Sequence, residues 1–274
     1  MTSHADPPGW DATKLSTNVA HPARVYDYLL GGKDNFAADR ALAEEMKRRV
    51  PGLPKMILAN RAWMRHATRF LVGEAGIRQI LDIGTGLPTT PNLHDVAQEL
   101  APVTRVLYVD NDPLVLVHAR ALLVGAPEGR VEYLDADVRD VGKILNSPEL
   151  ANMFDLTRPI AVMAASVLML LPDEADPWAI VRTLRDWMPQ GSYLAISHPT
   201  ADFDPNAMAD VVSITRSAGV TFVPRKFDEI SRTFGDWDMI DPGLVPVLDW
   251  RPTKPVTNSD AAYYWAGVAR KPNR

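Results

Sequence analysis

The chain contains no cysteine, which excludes disulfides, thiolate zinc sites and cysteine nucleophiles. No apolar run reaches the roughly 18 residues that a membrane-spanning helix needs, so no membrane partner is expected. The N-terminus, with His4, Asp6, Pro7 and Pro8, lacks the apolar core of a secretory signal. These absences fit a cytoplasmic protein. The six histidines show no spacing of the His-x-x-x-His kind, so no metal is expected. Positive charge is in deficit: 29 Lys and Arg against 34 Asp and Glu leave a net charge of −5. An acidic surface argues against nucleic acid as the main partner. Internal repeats and low-complexity tracts are also missing.

What is present is apolar and regularly patterned. The 274 residues are 46% hydrophobic, enough for one large α/β domain or two small ones. Residues 1 to about 20 read as an extended or loosely held arm. His21 to about Glu74 reads as helical, broken at Pro51-Gly52 and Pro54. Its later helix carries Ile57, Met64 and Leu71 on one face. Strands and helices then alternate. Pro91 suits the first turn of one helix and Asp112-Pro113 caps the next, which runs through Leu123. Pro159 to Ala165 and Tyr193 to Ser197 read as further strands, and Asp176-Pro177 opens the helix between them. Gly219 stops a later helix. Trp237 to Ile240 and Tyr263 to Ala269 offer two last strands. The expectation is an α/β fold with a doubly wound, mostly parallel sheet covered by helices on both faces. Residues 1–74 would form an N-terminal arm and helical cap, and 75–274 the core, together one structural domain.

The most informative stretch is Gln79-Ile80-Leu81-Asp82-Ile83-Gly84-Thr85-Gly86-Leu87-Pro88, a buried strand ending in a glycine turn. Gly84 and Gly86 allow close approach of a ligand to the backbone, and Thr85 adds a hydroxyl. A second strand ends in Asp110 and a third in Asp135-Ala136-Asp137. Three such strand ends describe a nucleoside-binding edge. Asp110 can accept both ribose hydroxyls; Asn111 follows it. Asp137 suits the adenine amino group, and Val138 can stack on the ring or offer its N–H. A dinucleotide site favours a third glycine, but Thr89 stands there, between Pro88 and Pro91. Asp82 places negative charge behind the glycines, adverse for pyrophosphate and favourable for a ligand with ammonium and sulfonium charges. The nucleoside expected is therefore S-adenosylmethionine, with S-adenosylhomocysteine as product.

The Leu81-Asp82-Ile83-Gly84-Thr85-Gly86 run resembles motif I of class I S-adenosylmethionine-dependent methyltransferases. The likeness extends to a bacterial family called simply S-adenosyl methyltransferase, formerly a domain of unknown function. It is carried by His21 to Phe36 (HPARVYDYLLGGKDNF), Asn60-Arg61, Tyr108 to Pro113, Pro172-Asp173-Glu174, Asp241 to Leu244 and Gly267 to Lys271. The resemblance implies a Rossmann-like seven-stranded sheet with an antiparallel last strand, and S-adenosylmethionine as donor. It implies no particular acceptor. The family's Leu-His pair after the fourth strand is Leu168-Met169 here, and Met169 can only pack.

The expected reaction is O- or N-methylation of a small molecule, and on the acceptor the sequence is informative mainly by exclusion. Amino-directed enzymes often carry Asn/Asp-Pro-Pro-aromatic after the fourth strand, where this chain reads Ala164-Ala165-Ser166-Val167. Ala165 and Ser166 are taken as cofactor neighbours. His198, at the end of the fifth strand, is the candidate base; Tyr26, Tyr28 and Met169 are candidate acceptor contacts. Gly31-Gly32-Lys33-Asp34-Asn35 reads as a lid, with Asn35 or Arg61 holding the methionine carboxylate. Two alternatives remain open at this level: a non-catalytic module binding the same cofactor, and an NAD-dependent oxidoreductase. Oligomeric state is not legible.

Overall fold

The computed structural model describes residues 16–122, 125–253 and 263–273. The first 15 residues, which belong to the expected arm, and Leu123, the expected helix end, lie outside them. Three helices come first: α1 (Pro22–Leu29), α2 (Ala37–Arg49) and α3 (Leu53–Arg69). The break before α3 falls at residues 50–52, and Pro54 belongs to its first turn, where a missing N–H costs nothing. Ile57, Met64 and Leu71 are all buried.

The core strands are β1 (Gln79–Ile83), β2 (Arg105–Asp110), β3 (Arg130–Asp135), β4 (Ala161–Ala165) and β5 (Tyr193–Pro199). They alternate with α4 (Leu93–Leu100), α5 (Pro113–Leu122), α6 (Val141–Leu145), α7 (Pro148–Met153) and α8 (Pro177–Trp187). Next come α9 (Pro205–Ser217), α10 (Phe227–Phe234), β6 (Asp238–Met239), β7 (Val245–Pro246) and β8 (Tyr264–Arg270). The sheet runs β3-β2-β1-β4-β5-β8-β6, and β7 pairs beside β8. β1 to β5 are mutually parallel, and β8 is antiparallel to β5. This is the class I methyltransferase arrangement with two-residue β7 added. Pro91 lies ahead of α4, which begins at Leu93 after Asn92. An asparagine is the better cap, because its side chain can accept from the orphan N–H groups.

Successive strand residues point to opposite faces, and two apolar clusters divide accordingly. Ile80, Val106, Tyr108, Met163 and Ala195 pack on one side with α2, α3 and α9. Leu81, Leu107, Val109, Val162 and Leu194 pack on the other with α6, α7, α8 and α10. The N-terminal helices share the first cluster with β1, β2, β5 and β8, so they are seated on the sheet. That placement brings α1 and α3 beside the carboxyl ends of the central strands.

Candidate functional site

β1 ends in a turn that only glycine makes easily. Gly84 and Gly86 have φ of +72° and +68°, a region that L-residues with side chains disfavour. A Cβ on Gly84 would also lie 2.4 Å from Val167 Cγ2, whereas one on Gly86 would meet open space. The turn is stitched to the end of β2. Gly84 N–H donates to the Val109 carbonyl at 2.8 Å, and Gly86 N–H to Asp110 Oδ2 at 2.8 Å. Asp112 N–H donates to Asp110 Oδ1 at 3.0 Å. Each carboxylate oxygen of Asp110 thus holds one backbone N–H and keeps further acceptor capacity. Burial raises the pKa of Asp110, opposed by those two hydrogen bonds and by His21.

A cavity of about 350 Å³ opens over these strand ends. The turn after β1 contributes Gly84, Thr85 and Gly86, the end of β2 and the next residue Asp110 and Asn111, and the end of β4 and the next residue Ala165 and Ser166. The loop after β3 contributes Asp137 and Val138. Arg61 and Tyr26 come from α3 and α1, and Met169 also lines the cavity. Asp82 stands behind the turn, 2% exposed. Burial lifts its carboxyl to about 7, Arg61 works against the rise and Asp110 adds to it. Asp137 is the contrary case. Arg139 pairs with it, Asn111 Nδ2 donates to it at 2.8 Å, and its pKa falls to about 2. Asn111 thereby ties the loops after β2 and β3 together.

The N-terminal segment forms a wall of the cavity, through residues the sequence did not single out. His21 and Asp27 both line it. His21 Nδ1 lies 2.9 Å from Asp112 Oδ2. The Asp27 carboxylate accepts from Asp34 N–H at 3.0 Å and from Asn35 Nδ2 at 2.8 Å. Gly32 packs so closely on it that a Cβ would lie 1.9 Å from Oδ1. The Gly31-to-Asn35 run therefore clamps a buried acid of α1. Asn35 does not line the cavity; its amide is used up on Asp27 and the Gly32 carbonyl, which removes it as a carboxylate donor. Arg61 does line it and bonds Thr89 Oγ1.

The acceptor-side residues divide as well. Tyr26 reaches the cavity, and its hydroxyl accepts from Asn60 Nδ2 at 3.0 Å. Burial raises its pKa, so the phenol is neutral. Tyr28 lies on the outer side of α1, with its hydroxyl donating to Glu44 at 2.8 Å. It does not line the cavity, because alternate helix positions face apart. His198 is likewise absent from the lining and 1% exposed. Its Nδ1 lies 2.8 Å from the Pro199 carbonyl and its Nε2 3.2 Å from Arg225 Nη1. Burial pushes its pKa down to about 3, and both nitrogens are engaged, so it is not placed to take a proton. Ser166 holds a left-handed φ of +57°, uncommon outside glycine. Its hydroxyl sits 2.5 Å from the Tyr264 hydroxyl, and Met169 Sδ is 3.5 Å from it.

Acidic groups predominate around the cavity. Asp27, Asp110 and Asp137 border the cavity and Asp82 backs it. Arg61 is bonded to Thr89 and Arg139 to Asp137. Asp137 is offset by Arg139, which leaves Asp27, Asp110 and Asp82 against Arg61, a balance that suits a ligand carrying positive charge better than a pyrophosphate. Among the described residues, no group of three ligand side chains could hold a metal ion. No described helix is long and apolar enough to cross a membrane.

A family model described as S-adenosyl methyltransferase matches residues 8–272. A DUF574 family protein from Streptomyces avermitilis is 43% identical, with 93% of this chain and 99% of that one covered and a TM-score of 0.89. A candidate methyltransferase from Thermobifida fusca is 42% identical, with 98% and 100% covered and a TM-score of 0.87. No curated protein matches. The match over nearly the whole chain settles the question: the chain belongs to the S-adenosyl methyltransferase family, and its cofactor is S-adenosylmethionine.

Proposed function

We propose that the protein transfers a methyl group directly from S-adenosylmethionine to an oxygen or nitrogen of a small molecule, without a metal. The observation that carries this reading is the Asp110 carboxylate, held by Gly86 and Asp112 at the edge of the cavity. Asp110 would hold the ribose hydroxyls, Asp137 and Val138 the adenine, and Arg61 the methionine carboxylate. Asp82 would face the positive charges. Bound there, the cofactor supplies an activated methyl carbon. The protein contributes alignment and exclusion of water. Tyr26, Ser166 and Met169 line the remaining wall and would position the acceptor. We assign no proton transfer to His198. Within the expected division at residue 74, the described helices α1 to α3 act as a cap on the core that follows. The cytoplasm is the compartment we propose, in keeping with a chain without cysteine.

Titration calorimetry with S-adenosylmethionine, S-adenosylhomocysteine and NADH tests the reading. Micromolar binding of the first two, lost in Asp110→Ala, is expected. Binding of NADH alone, or of nothing, would overturn it. The second reading, a module that binds the cofactor without turnover, draws on the sealed position of His198. A methyl-transfer screen over small phenols, amines and N-heterocycles separates the two.

A further inference from the structure

One run of polar contacts crosses the cavity edge. It starts in α2, where the fully buried Asp39 accepts from His21 N–H at 2.8 Å and from Phe36 N–H at 2.8 Å. Arg24 Nε lies 3.3 Å from the same carboxylate, and its other end donates to the Ser16 and Val19 carbonyls. The backbone of His21 is thereby fixed between two helices. Its side chain reaches Asp112, 2.9 Å away and 2% exposed. Asp112 is doubly committed: Oδ1 accepts from Leu114 N–H at 2.9 Å, capping α5, while Oδ2 faces His21. The backbone N–H of Asp112 then donates to Asp110, which accepts from Gly86 on its other oxygen.

We propose that His21 is a positioning residue for the cofactor's ribose: by gripping Asp112 it fixes the two oxygens of Asp110, so that cofactor binding and docking of the N-terminal segment reinforce each other. The inference rests on the reading of Asp110 as the ribose-binding acid. The physical reason is order. A carboxylate that must receive two hydroxyls at once loses affinity if it rotates, and its orientation is set by the N–H groups of Gly86 and Asp112. The Asp112 side chain is held at Oδ1 by the Leu114 N–H of α5, and at Oδ2 its contact is the His21 ring at 2.9 Å. His21 supplies the anchor that α5 does not. It also borders the cavity and keeps 33% of its side chain accessible, so it is at the ligand boundary rather than in the core. The coupling is reciprocal: a ligand that orders Asp110 also favours the docked segment.

The test is competition binding of S-adenosylhomocysteine and of its 2′,3′-dideoxy analogue to the full-length protein, with His21→Ala, His21→Asn and Asp112→Asn variants. Circular dichroism checks that each is folded. His21→Ala is expected to weaken S-adenosylhomocysteine about tenfold and to leave the dideoxy analogue unchanged. Asp112→Asn should reproduce this, and the double variant should add nothing further. His21→Asn, which places an amide N–H near the position of Nδ1, should recover most of the loss. An equal loss on both ligands would reduce His21 to a structural contact and overturn the proposal, as would wild-type affinity in His21→Ala. Failure of the wild-type protein to bind S-adenosylhomocysteine would instead remove the cofactor reading itself, and this inference with it.

Discussion

Asp110 and His198 occupy equivalent places in the architecture. Each stands at the carboxyl end of a parallel strand, each is buried, and each is a candidate site residue, Asp110 for the cofactor and His198 for the base. Their surroundings differ. Asp110 meets a glycine turn, where the backbone recedes and leaves the cavity; its oxygens hold two N–H donors and retain capacity. His198 meets β8, whose Trp265 is its antiparallel partner, and Arg225 closes over its ring. Arg225 is itself held by the Leu168 and Leu171 carbonyls and by Asp173. A strand end in an α/β sheet marks where ligands bind. Whether a given side chain there is available depends on what the neighbouring strand and loop put over it.

The sharpest way to break this contrast is Asp110→Ala. It should weaken S-adenosylhomocysteine more than 100-fold, about 3 kcal/mol for two hydrogen bonds to a charged acceptor, while calorimetric melting shows a folded protein. His198→Ala should do the reverse. Stability measured by urea unfolding should fall by about 2 kcal/mol from the cavity and the lost contact to Arg225, with affinity unchanged. A loss of affinity in the folded His198→Ala protein would return that residue to the site.

pH separates the buried groups by sign. The His198 pKa is depressed, to about 3, so below the unfolded value of about 6.5 the unfolded chain binds the extra proton. Stability from this group is lost as pH falls through that window, and His198→Ala should flatten the acid limb of a urea-midpoint profile. The Asp82 pKa is raised, to about 7. Between the unfolded value of about 3.9 and 7 the folded state binds the extra proton, so this contribution to stability is present at low pH and lost as pH rises through 7. Cofactor binding should run the other way, because a cation prefers the ionised carboxylate. Affinity for S-adenosylmethionine, which carries the sulfonium charge, should rise about tenfold from pH 6 to pH 8, and Asp82→Asn should level the profile in calorimetry.

The smallest effect sharpens the turn itself. Gly86→Ala bears only the left-handed backbone, about 1 kcal/mol in thermal unfolding. Gly84→Ala adds the clash with Val167 and should exceed it by about 1–2 kcal/mol. Equal losses would mean that Val167 yields freely.

The edge formed by Gly84, Gly86 and Asp110 was legible because it is local: strand, turn and acid are consecutive or fixed by one strand spacing. The same holds for the sheet, whose strands and capping pairs at Asp112-Pro113 and Asp176-Pro177 declare themselves by period and cap chemistry. The N-terminal helices were legible as helices, but not which of their side chains would face the cavity. Asn35 and Tyr28 looked as eligible as Tyr26 and Arg61. His21 carried no local mark of its pairing with a residue 91 positions along the chain, a separation given by 112 minus 21.

What the sequence determined by itself is therefore the sheet, its glycine turn and the acids at its strand ends, since hydrophobic period, left-handed glycines and helix caps act over a few residues. What only the tertiary structure decided is availability: that Asn35 is spent on Asp27, that His198 is sealed by Arg225, and that His21 stands against Asp112. Such pairings arise where elements distant in the chain pack together, and burial then fixes both the charge a group can carry and the ligand atoms it can reach.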